Sequence, residues 1–379
     1  MSFSRPQLTA ELDRLVESAA RWRPVAGRTI ARFDLRAWAA ERRAGFDLSP
    51  APAPDPGDPT AIAGAIVDVL LLDRYRRGPA ANLLDVRAEA EALIARRVEA
   101  GEPLEIVIPS FPGRPSNPLT HVRAQPDLGE AAAFLRLWQI SEHVRTFYDP
   151  GLRFVISLDG RAYAPFYGYT PQVFEPYPGD LRRMLDAMGV GDAVRLVDLQ
   201  ALVDERADEF RALHEQVTDE LTVQWADPDY AFRDELVESM KLGVNTAAIH
   251  AAAIKLVKYY DAAQDVTTAI TRMREAVHSQ AFATAFAYMC FLVTIKRMEL
   301  LARKFPGALR GTVHPKPGQY SPYLVRETTK IVPWHGVAVM RPDGGVDCVY
   351  ESEIFEAPER YTAVFVDGEY TPFYYEESV

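Results

Sequence analysis

The chain has few of the residues that hold small secreted proteins together. Its 379 residues contain two cysteines, Cys290 and Cys348, which are too few for a disulfide framework or a cysteine-based metal site. Cys290 lies in an apolar stretch and is predicted to be a small core residue. The N-terminus shows no apolar segment typical of a signal peptide, so we expect a cytoplasmic protein.

Long hydrophobic runs and an excess of positive charge are also absent. The longest apolar run, residues 281–295, is shorter than the ~20 residues that span a bilayer, and it predicts a buried helix instead. The formal net charge is −11, whereas nucleic acids and anionic membranes require a basic surface. We therefore expect no nucleic-acid or membrane partner, although a few arginines in one cleft would suffice for a small anionic substrate.

The common catalytic and cofactor motifs are missing as well. The sequence contains no G-x-G-x-x-G, no P-loop, no H-E-x-x-H and no G-x-S-x-G, so it offers no widely shared signature of activity. No two of its seven histidines stand four residues apart, the spacing that would place two ligands on one helix face. We expect no metal site.

What the sequence does contain is a succession of helical and strand patterns. Its 48% hydrophobic content is sufficient for a substantial core. Helices are predicted at 62–75, 85–99, 131–148, 181–188, 207–215, 245–262 and 266–304. Strands are predicted at 106–108, 153–158, 193–197, 309–313, 337–340, 346–350 and 361–366. Helix-separated strands followed by hairpin-spaced strands predict an α/β fold, with a Rossmann-like mixed sheet flanked by helices.

The first part of the chain is predicted to be an extension of this fold. Residues 7–43 have an amphipathic, alanine- and arginine-rich helical pattern, and residues 49–59 form a proline-rich stretch that interrupts regular structure. We interpret residues 1–59 as an N-terminal helical extension with a linker. Residues 60–379 would then form one α/β catalytic domain.

The most informative stretch is 106–130, where a short apolar strand enters a proline-punctuated polar loop and then a helix. Such strand–loop–helix junctions are the usual place for an α/β fold to bind a ligand. The polar residues of this stretch that concern us are Arg114, Ser116, Asn117, His121, Asp127 and Glu130. Arg114 could instead bind only loop carbonyls, and Asp127 with Glu130 could be only the N-cap and first-turn acid of the helix.

Two further groups of polar residues follow predicted strands. One is Asp159 with Arg161 around a turn, and the other comprises the segment from Arg310 to His314 together with His335. Arginine binds carboxylates and phosphates through its planar fork, and histidine exchanges protons near neutral pH. Together these groups suit a small anionic substrate that undergoes proton transfers.

Each of these residues also has a structural interpretation. The Asp159–Gly160 pair is a hairpin turn in most sequences. Lone histidines such as His314 and His335 are more often satisfied core or surface residues than ligands, and Trp334 is a core aromatic by default. His250 and His278, which lie within apolar helices, are expected to be structural. Spacing alone therefore supports only an α/β enzyme with an anion-binding cleft.

Four blocks in this order resemble the isocyanide (isonitrile) synthases, which are grouped with the pyoverdine/dityrosine biosynthesis proteins. The blocks are PSFPGRPSN at 109–117 with PDLGE at 126–130, YDPG at 148–151 with SLDGR at 157–161, FP at 305–306 with LRGTVHP at 309–315, and PWH at 333–335 with DG at 343–344. The resemblance covers roughly residue 62 to the C-terminus, and four short blocks in the right order make a chance similarity improbable.

The resemblance implies an enzyme that joins the α-amino group of an amino acid, aromatic in many members, to ribulose 5-phosphate and leaves one sugar carbon on nitrogen as an isocyanide. No metal or organic cofactor is implied, and a downstream oxygenase or peptide synthetase is an expected pathway partner. The implied catalytic residues are His314, His335, Asp159 and Glu130. The implied substrate-binding residues are Arg114, Ser116, Asn117, His121, Asp127, Arg161, Arg310, Lys316 and Trp334.

The chain departs from the family at several positions in this region. Arg114 and Thr120 stand where the family usually carries lysine, and Pro165 and Pro171 stand at positions that are acidic in the family. Arginine can replace lysine in binding an anion but not in forming a covalent imine. A divergent enzyme with another substrate or product, such as an N-formyl amino acid, and a non-catalytic binding protein therefore remain alternatives.

Overall fold

The protein is an α/β structure in which two β-sheets are flanked by helices. A computed structural model describes residues 25–46, 48, 53–115, 123–227, 230–241, 243–245 and 266–378. The strands of the described residues are β1 Ala26–Ile30, β2 Leu104–Ser110, β3 Leu152–Leu158, β4 Val194–Asp198, β5 Leu309–Arg310, β6 Val337–Met340, β7 Val346–Val349, β8 Tyr361–Val366 and β9 Tyr374–Glu377.

Helices surround these strands, and several of them begin at a side chain that caps the first turn. They are α1 Leu35–Ala44, α2 Pro59–Leu71, α3 Ala81–Leu84, α4 Arg87–Glu99, α5 Leu128–Arg145, α6 Gly160–Tyr163, α7 Pro176–Met188, α8 Leu199–Asp204, α9 Ala207–Ala226, α10 Ala231–Met240, α11 Val266–Arg297, α12 Leu300–Lys304 and α13 Glu351–Glu356. Helix α2 begins in this way, because Asp58 accepts hydrogen bonds from the backbone N–H groups of Thr60 and Ala61. Pro59 occupies its first turn, where a missing N–H costs nothing.

The first sheet is parallel throughout, with the strand order β4-β3-β2-β5. Its strands are apolar on both faces, as expected for a parallel sheet covered by helices. Ile106 and Phe154 face one side and belong to the main core, whereas Val107 and Val155 face the other and pack near Phe305. Because the strands run in one direction, their carboxyl ends lie along a single edge of the sheet, which we call the carboxyl edge.

The second sheet contains five strands in the order β1-β8-β9-β6-β7. Strand β1 pairs with β8 and β6 with β9 in parallel, whereas β8–β9 and β6–β7 are antiparallel. The predicted α/β class and mixed sheet are therefore confirmed, with the hairpin-spaced strands of the C-terminal third supplying most of the mixed sheet.

Helices α9, α10 and α11 form a separate layer with its own small core, which includes Val217, Val237 and Ala285. By length and composition alone, the helical stretch Arg274–Lys304 would be able to cross a membrane. Its inner side packs against α9 and α10 instead of being exposed all round. The helix is interrupted at Glu299, whose φ of 52° ends α11 before α12 begins.

The structure corrects several local predictions. Residues 26–30, predicted to be helical, form strand β1, and its neighbour α1 buries Trp38 in the main core. Strand β5 stops at Arg310, so Arg310, Thr312 and His314 do not alternate along one strand. The turn at Asp159 is not a hairpin, because helix α6 begins directly after it. Strand β9 and helix α13 were not predicted, and most of the predicted helix 245–262 lies outside the described residues. The division of the chain at residue 59 stays a prediction.

Candidate active site

Arg114 lies in a buried ion-pair network just beyond the end of β2. Its Nη1 is 2.8 Å from Asp127 Oδ2 and 2.8 Å from Glu130 Oε2, and its Nη2 donates a 2.6 Å hydrogen bond to the carbonyl of Gly336. None of the Arg114 side chain is exposed. Arg114 therefore joins three segments of the chain: the loop after β2, the start of α5 and the turn that carries His335.

The two carboxylates of this network also cap helix α5. Asp127 accepts a hydrogen bond from the backbone N–H of Gly129 at 2.7 Å, and Glu130 accepts one from that of Asp127 at 2.9 Å. The hydroxyl of Tyr177 donates to Glu130 at 2.9 Å. Burial raises the pKa of Glu130 to about 7, even though Arg114 lowers it. The structural alternative thus describes Asp127 and Glu130 well, because both are buried and engaged with protein groups.

This network fixes the position of His335. The preceding residue, Trp334, is buried and packs against Phe111 with ring centroids 4.6 Å apart. The His335 side chain is solvent-accessible yet has protein atoms around it. Desolvation by that surrounding protein, together with His314 and Arg114, lowers the pKa of His335 to about 4. The ring is therefore neutral near pH 7 and able to accept a proton.

The segment that begins at the end of β5 carries positively charged side chains, and its His314 lies close to His335. His314, Arg310 and Lys316 are exposed, and the pKa of His314 is lowered first by desolvation and then by the charges of Arg77 and Lys316. Arg77 donates to the carbonyls of Val313, at 3.3 Å, and of Lys330, at 3.0 Å. We call Arg310, Lys316 and Arg77, together with the neutral His314, the cationic cluster.

No carboxylate of the described residues forms an ion pair with Arg310 or Arg77. Arg310 and Lys316 belong to one segment, and Arg77 is hydrogen-bonded to Val313 of that segment, so cations without such counter-charges are available there to bind an anion. The sequence did not indicate Arg77, because nothing in the segment that carries it distinguishes one arginine from its neighbours.

Asp159 lies at the carboxyl edge, immediately after β3, and is buried. Within the described part of the chain its Oδ1 has no hydrogen-bond partner, and neither has the Oγ of Ser157. Burial raises the pKa of Asp159 to about 7, although a backbone hydrogen bond opposes the shift. A carboxyl group with such a pKa can exchange protons near neutral pH.

The remaining predicted residues are placed differently. Arg161 forms a 2.6 Å ion pair with Asp198, which itself caps helix α8, so its charge is already compensated. Ser116, Asn117 and His121 lie outside the described residues. Across the described ranges, no group of three or more histidine, cysteine, aspartate or glutamate side chains is arranged to bind a metal ion.

The parallel sheet brings the reactive groups to one edge. Asp159 follows β3, the segment from Arg310 to Lys316 continues from the end of β5, and strand β2 lies between β3 and β5. A carboxyl group and a set of cations thus flank a single strand end, as expected for a site that binds a substrate carrying both an anion and an amine. The buried network of Arg114, Asp127 and Glu130 holds the turn that carries His335 in this arrangement.

Comparisons with known proteins agree with this architecture. A crystal structure of the PvcA protein from Pseudomonas aeruginosa has a similar fold, with a TM-score of 0.59 at 24% identity, and the match covers 84% of this chain and 100% of the other. The L-tyrosine isonitrile synthase of P. aeruginosa is 28% identical over 69% of this chain and 77% of its own length. The L-tryptophan isonitrile synthase AmbI1 of Fischerella ambigua is 22% identical over 58% of this chain and 63% of its own.

The family model for pyoverdine/dityrosine biosynthesis proteins matches residues 94–361 of this chain. The matched residues contain the whole parallel sheet, Asp159 and every member of the cationic cluster except Arg77. The chain therefore belongs to the pyoverdine/dityrosine biosynthesis protein family.

Proposed function

We propose that this protein is an isonitrile synthase-like enzyme that converts the α-amino group of an aromatic amino acid to an isocyanide, with ribulose 5-phosphate as the one-carbon donor. The observation that carries the proposal is a buried carboxyl group, Asp159, whose Oδ1 has no hydrogen-bond partner among the described residues, on the same edge of the parallel sheet as cations that form no ion pair with them. Relatives named as L-tyrosine and L-tryptophan isonitrile synthases support the choice of an aromatic substrate.

The two halves of the site suit the two reactants. A sugar phosphate carries a dianion, which the cationic cluster would neutralise. An amino acid carries an ammonium group that must lose a proton before its nitrogen can attack the ketone of the sugar. Asp159, with its pKa of about 7, and His335, which is neutral near pH 7, are able to accept that proton and those released on enolisation.

Each proposed residue then has a defined task. Arg310, Lys316 and Arg77 bind the phosphate, and His314 with His335 transfers protons at the sugar carbons next to the imine. Asp159 receives the proton of the amine. We propose that Arg114, Asp127 and Glu130 act indirectly, because they hold the His335 turn in place without presenting surface to the substrate.

The direct test is an assay with purified protein, ribulose 5-phosphate, and L-tyrosine or L-tryptophan. An isocyanide product would show its characteristic infrared stretch, whereas an N-formyl product would lack that band and be heavier by one water. His335→Ala and Arg310→Ala should abolish turnover, while Arg303→Ala, which removes an exposed cation paired with Glu209 on the surface, should not. Full activity in either of the first two variants would refute the site.

Consumption of neither reactant across a panel of amino acids would refute the reaction itself. A protein that binds the reactants without converting them would favour a binding function. We further propose a cytoplasmic enzyme whose product passes to a downstream oxygenase or peptide synthetase.

A further inference from the structure

A group of aromatic side chains covers the side of Asp159 that faces away from the main core. Asp159 has the same strand parity as Val155, and that face of the sheet points toward the helices that follow β4 and precede β5. Tyr163 and Tyr167 follow Asp159 on the next two helical turns, and Tyr288 comes from α11. We call these three residues the tyrosine wall.

The wall is continuous. The ring centroids of Tyr163 and Tyr288 are 5.3 Å apart in an edge-to-face arrangement, and those of Tyr167 and Tyr288 are 5.9 Å apart. Each of the three side chains is half-buried. The charge of Asp159 raises the pKa of all three tyrosines, after the larger effect of burial, which places them within its electrostatic reach.

The carboxyl group of Asp159 lacks a cation among the described residues. Its Oδ1 accepts no hydrogen bond from them, and the neighbouring Oγ of Ser157 is also unpartnered. A buried carboxylate oxygen without a partner is unfavourable, so such an atom in a native protein calls for an explanation. An ammonium group of a ligand would supply the missing donors, and aromatic faces beside it would add cation–π attraction.

We propose that Asp159, Ser157 and the tyrosine wall form the subsite for the amino-acid substrate, in which Asp159 binds its ammonium group and Tyr163, Tyr167 and Tyr288 select an aromatic side chain. This inference rests on the proposed function for the identity of the second reactant, and it adds residues that the sequence did not indicate. The phosphate cannot occupy this subsite, because a carboxylate would repel it; the two reactants are thereby sorted to opposite sides of β2.

The test compares ligands that differ only in the amine. Calorimetric titration would measure the dissociation constants of L-tyrosine and of 3-(4-hydroxyphenyl)propanoate, which lacks the amino group, and of L-tryptophan with indole-3-propanoate. Whichever of L-tyrosine and L-tryptophan binds the wild type more tightly should bind at least tenfold more tightly than its deaminated analogue, as expected for a hydrogen-bonded ion pair. Asp159→Asn should bring this ratio close to one without weakening the deaminated ligand.

The wall is tested separately. Tyr288→Ala should weaken both members of a pair by about tenfold and leave their ratio unchanged, because it removes aromatic contact but not charge. Tyr370→Phe, at a side chain that is 98% exposed, is the matched control and should change neither value. Asp159→Ser is a second replacement in case the asparagine variant fails to fold.

Equal binding of both members of every pair by the wild type would overturn the proposal, as would a variant of Asp159 that keeps the preference for the amine. The result is separable from the proposed function. Amine preference that depends on Asp159, without isocyanide formation from ribulose 5-phosphate, would refute only the reaction. Isocyanide formation without that dependence would refute only this subsite.

Discussion

Replacing Asp159 with asparagine should stabilise the protein at alkaline pH while removing its activity. Burial raises the pKa of this carboxyl group from 3.8 to about 7 in the folded protein. In the unfolded chain the group is solvated and ionises at its ordinary pKa. Between these two values the folded state binds a proton that the unfolded state has released, so the free energy of unfolding falls as the pH rises.

The size of the effect follows from the shift. Each pH unit in this window costs about 1.4 kcal/mol, so the charge of Asp159 should destabilise the folded protein by ~4 kcal/mol at pH 8 relative to pH 3. Asparagine has a similar shape and no charge to desolvate. Its contribution should therefore be independent of pH, and the variant should gain on the wild type as the pH is raised.

Urea unfolding at pH 5 and pH 8 would measure this gain. Relative to the wild type, Asp159→Asn should be more stable by about 2–3 kcal/mol at pH 8 than it is at pH 5. Other titrating groups, including Glu130, are present in both proteins and cancel in the comparison. Asp219→Asn, at an exposed position on α9, is the control and should show no such difference. If the stability of Asp159→Asn relative to wild type does not change with pH, the carboxyl group is not desolvated and burial does not raise its pKa.

Three further predictions address the loop after β2 and the cationic cluster. Arg114→Met should reduce the free energy of unfolding by about 3–5 kcal/mol in urea titrations, because two buried carboxylates lose their partner; a loss below 1 kcal/mol would show that the network is dispensable. Gly160→Ala should unfold or strongly destabilise the protein in the same assay, since a Cβ there would lie 1.3 Å from the carbonyl oxygen of Pro112, whereas Gly191→Ala, with open space around it, should change stability by less than about 0.5 kcal/mol. Inorganic phosphate should raise the pKa of His314 in an NMR titration, because a bound dianion offsets the cations that lower it; an unchanged pKa would contradict a shared anion site.

Much of the fold was predictable because its elements bury one face or both. Strands β2 and β3 contain the apolar runs 106–108 and 154–156. Helix α5 begins after a proline and an aspartate, with a glutamate three residues later, which are standard signals of a helix start. Strand β1 gave no such signal, since four of its five residues are exposed and its hydrogen bonds to β8 hold it in the sheet. The sequences of β1 and β8 do not alternate in a way that would reveal their pairing, which joins segments more than 300 residues apart.

The site was predictable only in part, for a different reason. Sequence spacing indicates that Asp159, Arg310, His314 and His335 lie at strand ends, and parallel strands share an edge. It does not indicate whether a charged residue meets a partner. Arg114 has the same chemistry as Arg310, yet it is buried against Asp127 and Glu130 because the helix that they cap begins beside it.

The role of the tyrosine wall was not predictable from the sequence either. Tyr163 and Tyr167 lie one helical turn apart directly after Asp159, which is a recognisable aromatic stripe, but stripes of this kind are usually core. Tyr288 comes from a helix more than 100 residues later. Only the packing of Tyr288 against Tyr163 and Tyr167 reveals that the three rings form one group beside a carboxyl group.

The pairing of β1 with β8 has a practical consequence for recombinant work. A protein started at residue 60, the boundary suggested by the proline-rich stretch, would lack β1 and leave the backbone N–H and C=O groups of β8 unpaired along one side. Open strand edges promote association between molecules. Such a truncated protein should accumulate as oligomers or aggregates, and a start before residue 26 is the sounder choice for expression.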